Sequence, residues 1–126
     1  MLNKGLRDEK KVRIDNILKT LLSFVFVPKF WNVEDTNLID NQLTDFGLTT
    51  EILIQIEEKD LMVFLDQYDL DWIQKEQFAD FLIVFSKENP FDLSEKAIAI
   101  YEHIQSESKT FSFEIFNKIV AAKAKL

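Results

Sequence analysis

Two glycines and two prolines in 126 residues leave this chain almost without the residues that hairpin turns and phosphate-binding loops depend on. Gly5, Gly47, Pro28 and Pro90 are too few to turn a sandwich of short strands, which needs backbone of positive φ at turn after turn. Helices joined by short polar turns need few such positions. The expected fold class is therefore all-α: a single compact domain over residues 1–126, an irregular helical bundle of about six short helices.

The hydrophobic spacing agrees. Ile14, Ile17, Leu18, Leu21, Leu22 and Val25 repeat at helical intervals with Lys11, Asp15 and Lys19 opposite, and Phe24 and Phe26 widen the stripe. This first helix is expected to start near Asp8 and Glu9 and to stop before Pro28. Asp35 or Thr36 can cap a second helix that turns Ile39, Leu43 and Phe46 inward and ends at Gly47. The stretch Glu51 to Lys59 is ambiguous, because Ile52, Ile54 and Ile56 alternate as in a strand while Leu53 breaks the pattern. It is read as helix, since a lone strand would leave its backbone unpaired.

Leu61, Phe64, Leu65 and Tyr68 form the face of a further helix that ends in Asp69-Leu70-Asp71. Asp71 and Gln74 stand at capping-box spacing ahead of Phe78, Phe81, Leu82 and Phe85, and Asn89-Pro90 closes that helix. Asp92 and Glu95 repeat the spacing before Leu93, Ala97, Ile100, Tyr101 and Ile104. Ser112 opens a last helix carrying Phe113, Phe116, Ile119 and Val120, with Lys123 and Lys125 at its negative end.

Catalytic and metal chemistry find little support. The chain has no cysteine and one histidine, His103, one turn before Glu107, too few ligands for a zinc or di-iron site. Asp40 and Glu51 stand at the first and twelfth places of a possible calcium loop, but Asp45 occupies the glycine position and Gln42 and Thr44 replace interior ligands. Ser106, Ser108 and Ser112 lack a nucleophile elbow, and there is no phosphate loop. No catalytic residue, cofactor or metal is expected, and the chain is read as a non-enzyme.

Charge carries the functional reading. Residues 32–95 hold 16 acidic side chains against Lys59, Lys75 and Lys87, whereas both ends are basic and the whole has a net charge of −7. Lys4, Arg7, Lys10, Lys11 and Arg13 form a patch diluted by Asp8, Glu9 and Asp15 on a protein that a polyanion repels, so neither nucleic acid nor a membrane is the expected partner. Leu21 to Val27 is too short to span a bilayer and lacks a cleavage site, which favours the cytoplasm.

The central acids Asp66, Asp69, Asp71, Glu76 and Asp80, with Tyr68 or Trp72 as a desolvated anchor, are the expected partner-binding set. Glu76 and Asp80 lie four apart, where like charges oppose helix formation. The expected function is a non-catalytic acidic module that docks a basic protein through this segment, an immunity or inhibitor protein being one instance. In size, charge and lack of catalytic residues the chain resembles small acidic immunity proteins, although no motif identifies a family. The alternative is a self-associating helical module in which leftover Phe-rich stripes pair in a homodimer.

Overall fold

In the computed structural model of the chain, the backbone is described for residues 2–26, 33–88 and 93–125, and side chains for 9–23, 37–87 and 93–125. Those residues form helices and turns and contain no strand. The helices are α1 (Leu2–Phe26), α2 (Val33–Thr44), α3 (Thr50–Gln55), α4 (Glu58–Gln67), α5 (Trp72–Glu88), α6 (Ser94–Glu107) and α7 (Phe113–Lys123). The all-α expectation holds, with seven helices among the described residues rather than about six.

The first helix is longer than expected. It begins at Leu2 instead of near Asp8 and Glu9, because nothing before them breaks a helix except Gly5, whose cost of about 1 kcal/mol a long helix tolerates. The side chains of Lys4, Arg7, Asp8, Phe24, Val25, Phe26, Asp35 and Thr36, together with Pro28, Asn89, Pro90 and Asp92, lie outside the described residues. Of the remaining stripe, Ile14, Ile17, Leu18 and Leu21 are buried, and Leu22 packs partly against them. Lys11, Asp15 and Lys19 face solvent as expected.

Glu51 to Lys59 is mostly helical but interrupted. Thr49 caps α3 by accepting from the Ile52 amide, and α3 ends where Ile56 adopts extended backbone (φ −67°, ψ 139°), so α4 starts afresh at Glu58. Leu53 is buried, whereas Ile52 and Ile54 are 42% exposed. A six-residue helix has only one face to bury, which is why the alternation misleads.

Two turns share one design. After α2, Gly47 at φ +74° sends its amide to Thr44 O while Leu48 N reaches Leu43 O, the crossed pair of bonds of a Schellman stop. After α4, Asp69 takes the same left-handed conformation (φ 59°), with Asp69 N on Asp66 O and Leu70 N on Leu65 O. In both, the residue after the turn tucks back into the core: Leu48 and Leu70 are buried.

Helix α5 is the central element, touching α1 on one side and α6 on another, while α2 packs on α1, α3 on α2, and α4 and α7 on α6. Phe78, Ala79, Phe81, Leu82 and Phe85 on α5 are fully buried. Neighbouring rings stack along the helix, Phe81 to Phe85 with centroids 5.4 Å apart, and Phe46 meets Phe78 edge-on at 6.3 Å. One continuous buried cluster takes residues from every helix, including Ile39, Leu43, Leu61, Leu65, Ile100, Tyr101 and Ile115.

The expected Asp92–Glu95 box at the start of α6 rests on Asp92, which lies outside the described residues. Leu93 occupies the cap position without a side-chain cap bond, and its amide donates to Ser86 Oγ (2.8 Å), whose hydroxyl donates in turn to Leu82 O. The last helix departs from its expected stripe. Ser112 caps it, accepting from the Ile115 amide at 3.2 Å, but the buried residues are Ile115 and Ala122 with Ile119 partly covered, whereas Phe113, Phe116 and Val120 are exposed.

Candidate functional site

The corner between α4 and α5 gathers the expected binding residues. Asp71 Oδ1 accepts from the Gln74 amide at 2.8 Å while Gln74 Oε1 accepts from the Asp71 amide at 3.0 Å, so both halves of the capping box are made. Gln74 is buried, and its Nε2 also donates to Asp15 Oδ1 (2.8 Å) and Lys11 O (3.3 Å), locking the start of α5 to α1. Asp66, Tyr68, Asp69, Asp71 and Trp72 thus fall within seven consecutive residues around this corner.

Each carboxylate of the set meets a lysine of the same chain. Asp69 accepts from Lys10 Nζ at 2.9 Å and Asp71 lies 3.8 Å from Lys11 Nζ, both exposed contacts with α1. Asp66 accepts from Lys75 Nζ at 2.5 Å. Glu76 and Asp80 share Lys118 of α7, at 2.5 Å and 3.1 Å. The two like charges on α5 are therefore held together by a cation between them, which offsets the repulsion that their spacing implies. The basic ends of the chain supply Lys10, Lys11 and Lys118 to its acidic middle.

Exposure separates these pairs. The side chains of Asp69 and Asp66 are 73% and 57% exposed, but only the Asp69 pair is screened by water on both sides, since Lys75 at Asp66 is itself buried. Glu76 and Asp80, at 22% and 27%, are committed to the fold. Asp80 Oδ1 also accepts from the Tyr101 hydroxyl at 2.6 Å. Burial first, then that hydrogen bond and the charges of Asp80 and Glu76, push the Tyr101 phenol far above its ordinary value. Burial draws the Lys118 ammonium down, but its bonds to Glu76 and Asp80 outweigh that and hold it above the usual lysine range.

The aromatic anchors are partly used. Tyr68 stacks on Phe64 (4.8 Å) and meets Phe46 edge-on (6.1 Å). Trp72 is 39% exposed, with Lys75 Nζ lying 4.3 Å over its ring and His103 5.8 Å away. Lys75 itself is buried and stands 3.4 Å from His103 Nε2, so this nitrogen acts as acceptor when the lysine is charged. Among the described residues no group of three or more His, Cys, Asp or Glu side chains could hold a metal.

A second acidic surface lies where α3 ends and α4 and α6 begin. Ile54, Ile56, Glu57, Glu58, Glu95 and Lys96 line a hollow of about 560 Å³. Lys96 Nζ is taken up by Ile54 O at 2.9 Å, and Glu57 lies 4.0 Å from Lys59. Glu51, Glu58, Asp60 and Glu95 are exposed and have no side-chain bond or ion pair among the described residues. Sequence reading missed these four as a set, because nothing local distinguishes a carboxylate with a distant lysine from one without.

No protein family, curated protein or solved structure matches the chain.

Proposed function

We propose that this is a non-catalytic, cytoplasmic binding module that docks a basic protein through carboxylates of its middle segment, as an immunity or inhibitor protein would. The observation that carries this reading is the hollow beside α3 and α4, where Glu58 and Glu95 keep their charge unmatched among the described residues beside the exposed Ile54, with Lys59 and Lys96 at its edge and Glu51, Ile52 and Asp60 exposed on the same two helices. Apolar contact ringed by uncompensated charge supplies both an anchor and long-range steering. Asp69 and Asp71, with Tyr68 and Trp72, extend the surface, since their lysine contacts are exposed and a cationic partner can displace them, while Asp66 offers only its exposed side beside the buried Lys75. Glu76 and Asp80 serve the fold rather than the partner. No helix among the described residues is long and apolar enough to cross a membrane.

The test is capture from the native cell at low salt on the immobilised protein, followed by stopped-flow association with whatever elutes as salt rises. A basic protein that associates at least tenfold more slowly with the Glu51→Lys, Glu58→Lys, Asp60→Lys, Glu95→Lys variant supports the reading, provided circular dichroism shows the variant folded, since all four acids stand in the first turns of helices. Association that is indifferent to both salt and charge reversal rejects it.

A further inference from the structure

Helix α7 carries two apolar stripes and the fold uses one. Ile115, Ile119 and Ala122 turn toward the core, while Phe113, Phe116 and Val120, spaced three and four apart, form a second stripe on the outside. Phe113 is 77% exposed, Phe111 58%, Val120 51% and Phe116 47%. The three rings form a cluster of their own: Phe111 meets Phe113 edge-on at 5.0 Å and Phe116 at 6.0 Å. Asn117, Ala121 and Ala124 are also exposed, and the small residues leave room for another helix to approach.

This face is held rigidly. Gln105 takes the Ser112 amide at 2.9 Å and gives its own amide to Ser112 O at 2.8 Å, and Lys123 reaches Glu102 at 3.1 Å, so both ends of α7 are tied to α6. Lys118 ties its middle to α5. An aromatic cluster on an anchored helix presents fixed shape to a partner without an ordering penalty.

We propose that this stripe pairs with the same stripe of a second copy, the two α7 helices running antiparallel about a two-fold axis. Charge complementarity selects this occupant and this direction. Glu114 stands exposed at the start of α7, with only a long 3.8 Å contact to Lys118, and Lys125 lies just past its end, Lys123 being taken by Glu102, so an antiparallel neighbour sets the acid of one copy beside the Lys125 of the other, and opposes the helix dipoles favourably. A parallel pair would set like charges together. On a helical wheel Glu114, Ala121 and Lys125 share one flank of the stripe, which brings Glu114 opposite Lys125 of the second copy. The exposed rings and Val120 offer on the order of 400 Å² of apolar surface per copy, which with a polar rim reaches the lower bound of a specific interface. The pairing is independent of the acidic hollow.

Sedimentation equilibrium over a range of concentrations tests it. The wild-type protein is expected to dimerise with micromolar affinity and to keep doing so as salt rises. Phe113→Asp with Phe116→Asp is expected to be monomeric at every concentration while retaining its helical circular dichroism, since both side chains are exposed. Because the chain has no cysteine, register can be read directly: this register sets the two-fold axis between Ile119 and Val120, so Val120→Cys should oxidise to its own disulfide faster than Asn117→Cys does. Glu114→Lys should weaken the dimer severalfold, and adding Lys125→Glu should restore it. A monomeric wild type, or a dimer that survives the double aspartate substitution, overturns the proposal.

Discussion

The Tyr101 hydroxyl donates to Asp80 across the α5–α6 contact at 2.6 Å, and burial first, with that bond second, keeps the phenol protonated. Because its folded-state pKa lies above the unfolded value of 10.0, the stabilisation is complete below about pH 10 and declines as pH rises further, where the unfolded chain loses the proton first. Tyr101→Phe is expected to cost about 1.5–3 kcal/mol at neutral pH, the range for a hydrogen bond to a charged group. That deficit should shrink above pH 10 in urea titrations of both proteins. A gap that stays constant into alkali would show that the folded state does not hold the phenol above its ordinary value.

Lys118 sets a second expectation at the same place. Lys118→Met removes the cation between Glu76 and Asp80 and leaves two partly buried like charges one turn apart. The cost should be about 2 kcal/mol, below the 3–5 kcal/mol of a fully buried broken pair because roughly a quarter of each carboxylate still meets water. Adding Glu76→Gln should recover part of it. Additive effects in that double-mutant cycle would mean that the charges do not interact. The Lys118 pKa is also raised, so its contribution is complete below 10.5 and is lost above that value.

The capping box at the start of α5 predicts a graded series. Asp71→Ala removes the acceptor for the Gln74 amide and should cost about 1 kcal/mol in chemical denaturation. Asp71→Asn keeps an acceptor and should be nearly silent, because the contact with Lys11 is 3.8 Å long and exposed. Equal losses in both variants would assign the effect to charge instead of to the cap.

What could be read from the sequence follows from how local each feature is. The box at Asp71 and Gln74, the stop at Gly47 and the stripes of α5 and α6 are written within one or two turns of chain, and each is found as expected. Lys10 with Asp69 and Lys118 with Asp80 are 59 and 38 residues apart, and no local pattern selects a lysine for a distant carboxylate. On α7 the periodicity offers two apolar faces of similar quality, so spacing alone does not decide which is buried. Geometry decided it: Ile115 and Ala122 face the core, and the aromatic side is left out.

The left-handed turns give the last expectation, because Gly47, Asp69 and Lys109 share one backbone conformation that glycine alone adopts without a steric cost. Lys109 sits at φ 61° between α6 and α7, exposed, where a β-carbon crowds the backbone. Lys109→Gly should therefore raise stability by about 0.5–1 kcal/mol, net of the extra freedom glycine gains when unfolded. Gly47→Ala should do the opposite: at φ +74° the new carbon is strained and would lie 2.9 Å from the Tyr68 hydroxyl. Tyr68→Phe removes that oxygen and leaves Phe64 at 3.6 Å as ordinary contact, so it should relieve the steric part of the penalty and leave the backbone part of about 1–2 kcal/mol. Thermal melts of the three variants and the Gly47→Ala, Tyr68→Phe double separate the two contributions. An alanine at position 47 that is as stable as glycine would show that this turn does not need its left-handed conformation.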